Sequence, residues 1–176
     1  RILILSSSTG GGHDMRAAAL VEWLERLRGD EVVIRRMQAL EESSALDRFG
    51  VDLYNWIQRR CPRMHHLYFN FLEVASLHRR TSRLRGRERL QAIVRKFRPD
   101  VVVSTHAHLN HAHFEAIRQA MQPHPPRCLT YCGELHGSYG FSRHWVNPQA
   151  DGFIAAVPSC AEAALARGMP QERVHL

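Results

Sequence analysis

The amino terminus constrains the fold more than any other stretch: an unbroken apolar run from Ile2 to Leu5, then small residues from Ser6 to Gly12, then Ala17, Leu20, Leu24 and Leu27 at helical spacing until Gly29. A continuous apolar run reads as a strand buried on both faces, as in parallel sheets, and the spaced positions read as a helix stopped by glycine. A second strand over 31–37 completes a βαβ unit, because parallel neighbours need a crossover of helical length. A polar crossing through Glu41, Glu42, Ser43 and Ser44 follows.

The same alternation continues. Helical patterns run through Leu53, Tyr54, Trp56 and Ile57, through Met64, Leu67, Tyr68, Phe71, Leu72 and Ala75 after Pro62, and through Leu90, Ile93, Val94 and Phe97 before Pro99. Strands are predicted over 101–104, 127–132 and 152–156 and from 173 onward, helices over 110–121 and 161–167, and a long loop over 133–148. No internal repeat is present. The pattern predicts an α/β fold, a Rossmann-like open parallel sheet with helices on both faces, as one domain over 1–176. Ligands of such sheets bind at the carboxyl ends of the strands, here the loops after Leu5, Ser104 and Cys132.

Composition agrees, since 176 residues with 44% apolar and 23% charged side chains suffice for one core. Disordered, collagen-like and coiled-coil classes are excluded, and so is a large two-domain enzyme. No run approaches the roughly 18 apolar residues of a membrane span, and no secretory leader is expected. A chain stopping in a strand-like segment is expected to be part of something longer. The four cysteines, Cys61, Cys128, Cys132 and Cys160, have no Cys-x-x-Cys spacing. Reduced, cytosolic thiols are expected, and Cys128 and Cys132, about 13 Å apart along one strand face, cannot bridge.

Charge is unevenly distributed. The chain carries a net +7, yet residues 59–98 alone hold 12 basic side chains against Glu73 and Glu88, so the remainder is net negative. Such a block suits an anionic membrane leaflet, an acidic substrate or nucleic acid, or is simply a solvated helix face.

Gly10, Gly11 and Gly12 let backbone amides approach a ligand, and the helix that follows adds its partial positive charge. The loop lacks the Gly-Lys-Ser/Thr of a phosphate loop, and Met15 occupies the third small position of a dinucleotide fingerprint. With no carboxylate ending the second strand, a nicotinamide cofactor is disfavoured, while a tight βα turn needing glycine only for its dihedrals stays open. His13, at the mouth of the loop, has the chemistry of a general base.

The run Ile4-Leu5-Ser6-Ser7-Ser8-Thr9-Gly10-Gly11-Gly12-His13, followed by Arg16-Ala17-Ala18-Ala19-Leu20, resembles the opening of the monogalactosyldiacylglycerol synthase and processive diacylglycerol glucosyltransferase family. Tyr54-Asn55-Trp56 through Tyr68, Phe97-Arg98-Pro99-Asp100-Val101-Val102-Val103-Ser104-Thr105-His106, and Phe141 to Asp151 resemble later segments of that family, so the similarity spans nearly the whole chain. The resemblance implies the amino-terminal, acceptor-binding half of a GT-B glycosyltransferase. Such enzymes move a hexose with inversion from a nucleotide sugar, usually a UDP-sugar, to a lipid hydroxyl. It implies His13 as the base, Thr9 with Gly10, Gly11 and Gly12 as the acceptor or donor-phosphate loop, and His106, Glu134 and Trp145 near the acceptor. Glu134, after Cys132-Gly133, stands where the family often has Thr-Asp. No resident cofactor is implied. The donor-binding half lies outside these residues, so the isolated domain is expected to be inactive.

His106, His108, His111 and His113, with His136 and Cys132, invite a zinc reading, but among the four clustered histidines no pair has the i, i+4 spacing of a His-Glu-x-x-His helix, and the expected metal is none. Tyr54, Trp56, Phe69 and Phe71 beside Arg59, Arg60 and Arg63 suggest peripheral contact with an anionic membrane, and the expected location is the cytoplasmic inner face. Nucleic acid is the disfavoured partner, since no recognised binding motif appears. Two other readings remain beside the transferase, a lipid- or nucleic-acid-binding module without chemistry and a zinc hydrolase.

Overall fold

The apolar runs pair edge to edge as a six-stranded sheet, β1 Ile2–Ser6, β2 Ile34–Gln38, β3 Val101–Ser104, β4 Arg127–Cys132, β5 Gly152–Ala155 and β6 Val174–His175, in the order β2-β1-β3-β4-β5-β6. Every pairing is parallel. This computed structural model describes residues 1–64, 67, 70, 81–138 and 141–176. The helical pattern from Met64 through Ala75 therefore falls largely outside the described residues, as do Tyr68, Phe69 and Phe71.

The connecting helices are α1 Gly12–Arg28, α2 Ala39–Ser43, α3 Ala45–Arg60, α4 Arg87–Phe97, α5 Ala112–Ala120 and α6 Pro158–Ala166. Right-handed crossovers decide their faces, because β1 to β2 steps one way across the sheet and every later connection steps the other. Among the described helices, α1 alone therefore covers one face. There Ile4, Ala17 and Val103 are buried, with Ile2, Leu20, Leu24, Leu129 and Tyr131 packed around them. The alternating residues Leu3, Leu5, Met37, Val102 and Cys128 face the other way, into a larger core with Leu90, Val94, Phe114 and Ile117. Each such side chain contributes about 1.5–3 kcal/mol by burial, so most of the stability lies on the α4–α5 face.

Local chemistry sets the helix ends. The Ser44 hydroxyl accepts from the amide of Asp47 at 3.2 Å to start α3. Helix α4 begins at Gly86, whose φ is +65° and where a Cβ would sit 2.0 Å from the Ser43 carbonyl oxygen, so only glycine fits. It closes at Arg98, in the left-handed region at φ 52°, just before Pro99.

Three sequence-based expectations need correction. The second strand starts at Ile34 rather than residue 31, because Gly29–Glu31 continue the end of α1 as a 3-10 turn. The polar crossing after it is helix α2: the Glu42 carboxylate accepts from the Gln38 amide at 2.8 Å and turns the chain at once. The helix expected from residue 110 is split into a 3-10 turn, Ala107–Leu109, and α5, which begins at Ala112.

Candidate functional site

The loop between β1 and α1 is built by its own hydroxyls. Ser6 Oγ donates to Asp14 Oδ1 at 2.8 Å, and Ser7 Oγ and Ser8 Oγ both donate to Glu41 Oε1 at 3.0 Å. The Ser8 amide joins them at 2.7 Å, so one carboxylate oxygen gathers three donors. Gly10 and Gly11 have φ of +62° and +75°, the left-handed turn that aims the chain into α1, whereas Gly12 has no such requirement. Asn55, on α3, clamps the loop from outside: its Oδ1 accepts from the Gly10 amide at 2.9 Å and its Nδ2 donates to the Ser8 carbonyl at 3.3 Å.

His13 occupies the first turn of α1. Its Nδ1 lies 2.8 Å from the Thr105 carbonyl, which can only accept, so Nδ1 carries the proton and Nε2 holds the lone pair. Burial lowers its pKa to about 4, the Arg16 charge adds to this, and the Thr105 carbonyl opposes it. The ring is neutral at pH 7. His106, following β3, stacks on it with ring centroids 4.3 Å apart, and Trp145 lies 5.8 Å away on the other connection.

The expected loops after β1, β3 and β4 thus meet. His106 and Trp145 are only 4% and 1% exposed, so they form the wall behind His13. The 3-10 turn Arg143–Trp145 is tied to the connection after β3 through Asn110, whose Nδ2 donates to the carbonyls of His144 and Trp145. Glu134 is half-buried two residues past β4; among the described residues none donates to its carboxylate, and its carbonyl accepts from Cys160 Sγ. Arg16 lies across Gly133, where a Cβ would meet its Nε at 2.2 Å.

Among the described residues, no three His, Cys, Asp or Glu side chains are placed to hold a metal ion. The imidazoles instead stack in a row, with His106 to His108 at 5.6 Å and His108 to His144 at 4.6 Å. Burial pushes the Cys128 and Cys132 thiols up to about 12, so neither is a thiolate at neutral pH.

A comparison with protein families matches residues 13–176 to the model of monogalactosyldiacylglycerol (MGDG) synthase. The chain belongs to the MGDG synthase family. This is a family of glycolipid glycosyltransferases. Comparison with curated proteins gives no match.

Tyr54, Trp56, Arg59 and Arg60 lie on α3, and Arg63 lies just after it. Trp56 is 55% exposed, and Arg59, Arg60 and Arg63 are exposed. Tyr54 is half-buried, its hydroxyl accepting from Gln58 Nε2 at 3.0 Å. Among the described residues no helix is long and apolar enough to cross a membrane.

Sequence reading missed Glu41, Asn55, Thr105 and Arg16 as parts of the site. Glu41 looked too far along the chain, yet α2 turns so early that it returns to the loop. Asn55 and Thr105 carried a usable signal, polar residues within the segments that resemble the family.

Proposed function

We propose that this domain positions the acceptor in an inverting hexosyl transfer from a nucleotide sugar, a UDP-sugar, to the hydroxyl of a diacylglycerol-type lipid, with His13 as general base. The observation that carries the reading is the fixed tautomer of His13, whose Nε2 lone pair is left to receive a proton. As the acceptor oxygen attacks the anomeric carbon, its proton passes to Nε2, and the bond to the nucleotide breaks with the electron pair leaving on the diphosphate. A ring with a pKa near 4 is a weak base at rest. Transfer therefore accompanies carbon–oxygen bond formation, when the hydroxyl becomes acidic. Attack from the face opposite the nucleotide inverts the anomeric centre.

In this reading the protein is a GT-B enzyme, and a carboxyl-terminal domain outside these residues binds the donor. No resident cofactor takes part. The amides after Gly11 and the amino end of α1 offer partial positive charge to a phosphate or an acceptor oxygen. Glu134 and the wall of His106 and Trp145 border the acceptor. Trp56, Arg59, Arg60 and Arg63, with Tyr54 behind them, dock the domain on the anionic inner face of the membrane, at about 1 kcal/mol per arginine. Helix α3 carries Tyr54, Trp56, Arg59 and Arg60 as well as the Asn55 clamp, which brings the lipid surface to the loop.

The test is turnover by a polypeptide that includes the donor half. His13→Ala should lower it about 100-fold or more while lipid binding persists. Unchanged turnover would overturn the assignment of His13 as the base. Residues 1–176 alone should transfer no sugar.

A further inference from the structure

Glu41 is 8% exposed, and the transfer step does not use it. Its hydrogen bonds nevertheless run without a gap to the ring stacked on His13. A carboxylate only accepts, so the Ser7 hydroxyl proton is committed to Glu41 Oε1 at 3.0 Å. Ser7 Oγ in turn accepts from Thr9 Oγ1 at 3.3 Å, which commits the Thr9 proton. Thr9 Oγ1 lies 2.8 Å from His106 Nε2 and, its own proton directed elsewhere, receives the proton of that nitrogen. The other end of the ring points the same way. The amide of His108 donates to His106 Nδ1 at 3.1 Å, a longer contact than that to Thr9, which favours a lone pair there without fixing the tautomer by itself.

We propose that Glu41 is a positioning residue that, through Ser7 and Thr9, holds His106 in the Nε2–H tautomer, so that of the two stacked imidazoles only His13 offers a lone pair to the acceptor hydroxyl. The proposal rests on the assignment of His13 as the base and deepens it. His13 carries its proton on Nδ1, against the Thr105 carbonyl, so the neighbouring rings are held in opposite tautomers. Reversing His106 would set an Nδ1 proton against the His108 amide, donor against donor. The ring would have to move, and His13 packs on it at 4.3 Å. Displacement of a catalytic group by an ångström costs up to about 100-fold in rate.

Long-range proton–nitrogen correlation spectra of the 15N-labelled chain report histidine tautomers directly. Wild type should show His106 as Nε2–H and His13 as Nδ1–H. In Glu41→Ala the His106 signals should become those of mixed tautomers. Should that buried substitution prevent folding, Thr9→Val breaks the same chain at a half-exposed position, and Thr9→Ser restores it. An Nδ1–H tautomer of His106 in wild type overturns the proposal. So does a His106 spectrum left unchanged by Thr9→Val or by folded Glu41→Ala. In turnover by the polypeptide with its donor half, Thr9→Val should lower kcat 10- to 100-fold, roughly, with KM for the acceptor nearly unchanged, and Thr9→Ser should recover it. Equal rates for wild type and Thr9→Val also overturn it. Failure of the His13 assignment looks different: His13→Ala keeps its turnover while the tautomers stand.

Discussion

His13 and His106 meet with their ring planes inclined by 59° and their centroids 4.3 Å apart, across the loops that follow β1 and β3. Neither loop alone makes a site. Pairing of β1 with β3, Leu5 opposite Ser104, brings them together, and the Thr105 amide donating to the Leu5 carbonyl at 3.0 Å extends that pairing by one residue. His13 is thus held by sheet register as well as by its helix.

Its low pKa fixes the pH profile. The proposed base works only when deprotonated, and His13 stays so down to about pH 4. The acidic limb of kcat/KM attributable to it should therefore fall well below 6.5, the usual histidine value. A rate profile in which activity halves near pH 6.5 would show a base that is not buried as described.

The same shift makes stability depend on pH. The unfolded chain binds a proton at His13 below about pH 6.5 and the folded one only near pH 4, so this residue's contribution declines as pH falls between those values and changes no further below. Urea unfolding at pH 7.5, 5.5 and 4.5 should show the loss in wild type and a smaller one in His13→Gln. Parallel slopes would contradict the burial of the ring.

The three glycines of the loop are not equivalent. Gly10 and Gly11 are left-handed, and a Cβ on Gly10 would also press Gln58 Oε1 at 3.3 Å, while Gly12 has ordinary φ and open space. Gly11→Ala and Gly10→Ala should each cost about 1–2 kcal/mol. Gly12→Ala should be neutral or stabilise by up to about 1 kcal/mol. Thermal unfolding separates them, at about 2–4 °C per kcal/mol for a chain of this size.

Much of this was readable beforehand, for reasons that differ by element. Strands β3 and β4 are apolar runs between proline-marked loops, and their bounds agree with the sequence reading because such runs have one way to be buried. Strand β2 was displaced because Gly29 and Asp30 prolong a helix end that hydrophobic spacing alone cannot see. His13 stood out by residue type and its place at a loop mouth. Glu41 and Asn55 did not, since their importance lies in hydrogen bonds to residues far along the chain, and no local period encodes those.

Asn55 supplies a test of how the loop is held. Asn55→Ala removes its bonds to the Gly10 amide and the Ser8 carbonyl, each worth about 0.5–1.5 kcal/mol. Amide exchange at Gly10 should quicken by at least tenfold, roughly, while exchange in β3 and β4 falls only with global stability. Asn55→Asp keeps the acceptor and should protect Gly10 better than alanine. Identical exchange in all three proteins would mean that the clamp carries no energy.

The inward turn of the hydroxyls limits what the loop can discriminate. Ser6 gives its proton to Asp14, Ser7 and Ser8 give theirs to Glu41, and Thr9 gives its own to Ser7. A segment so rich in serine and threonine looks made to grip a carbohydrate, yet its donors are already engaged. What it presents outward is amide dipole and one imidazole, neither of which distinguishes an axial from an equatorial hydroxyl. Choice between epimeric sugars therefore belongs to other surfaces, and exchanging these hydroxyls should change how firmly the base is held without changing which hexose is transferred.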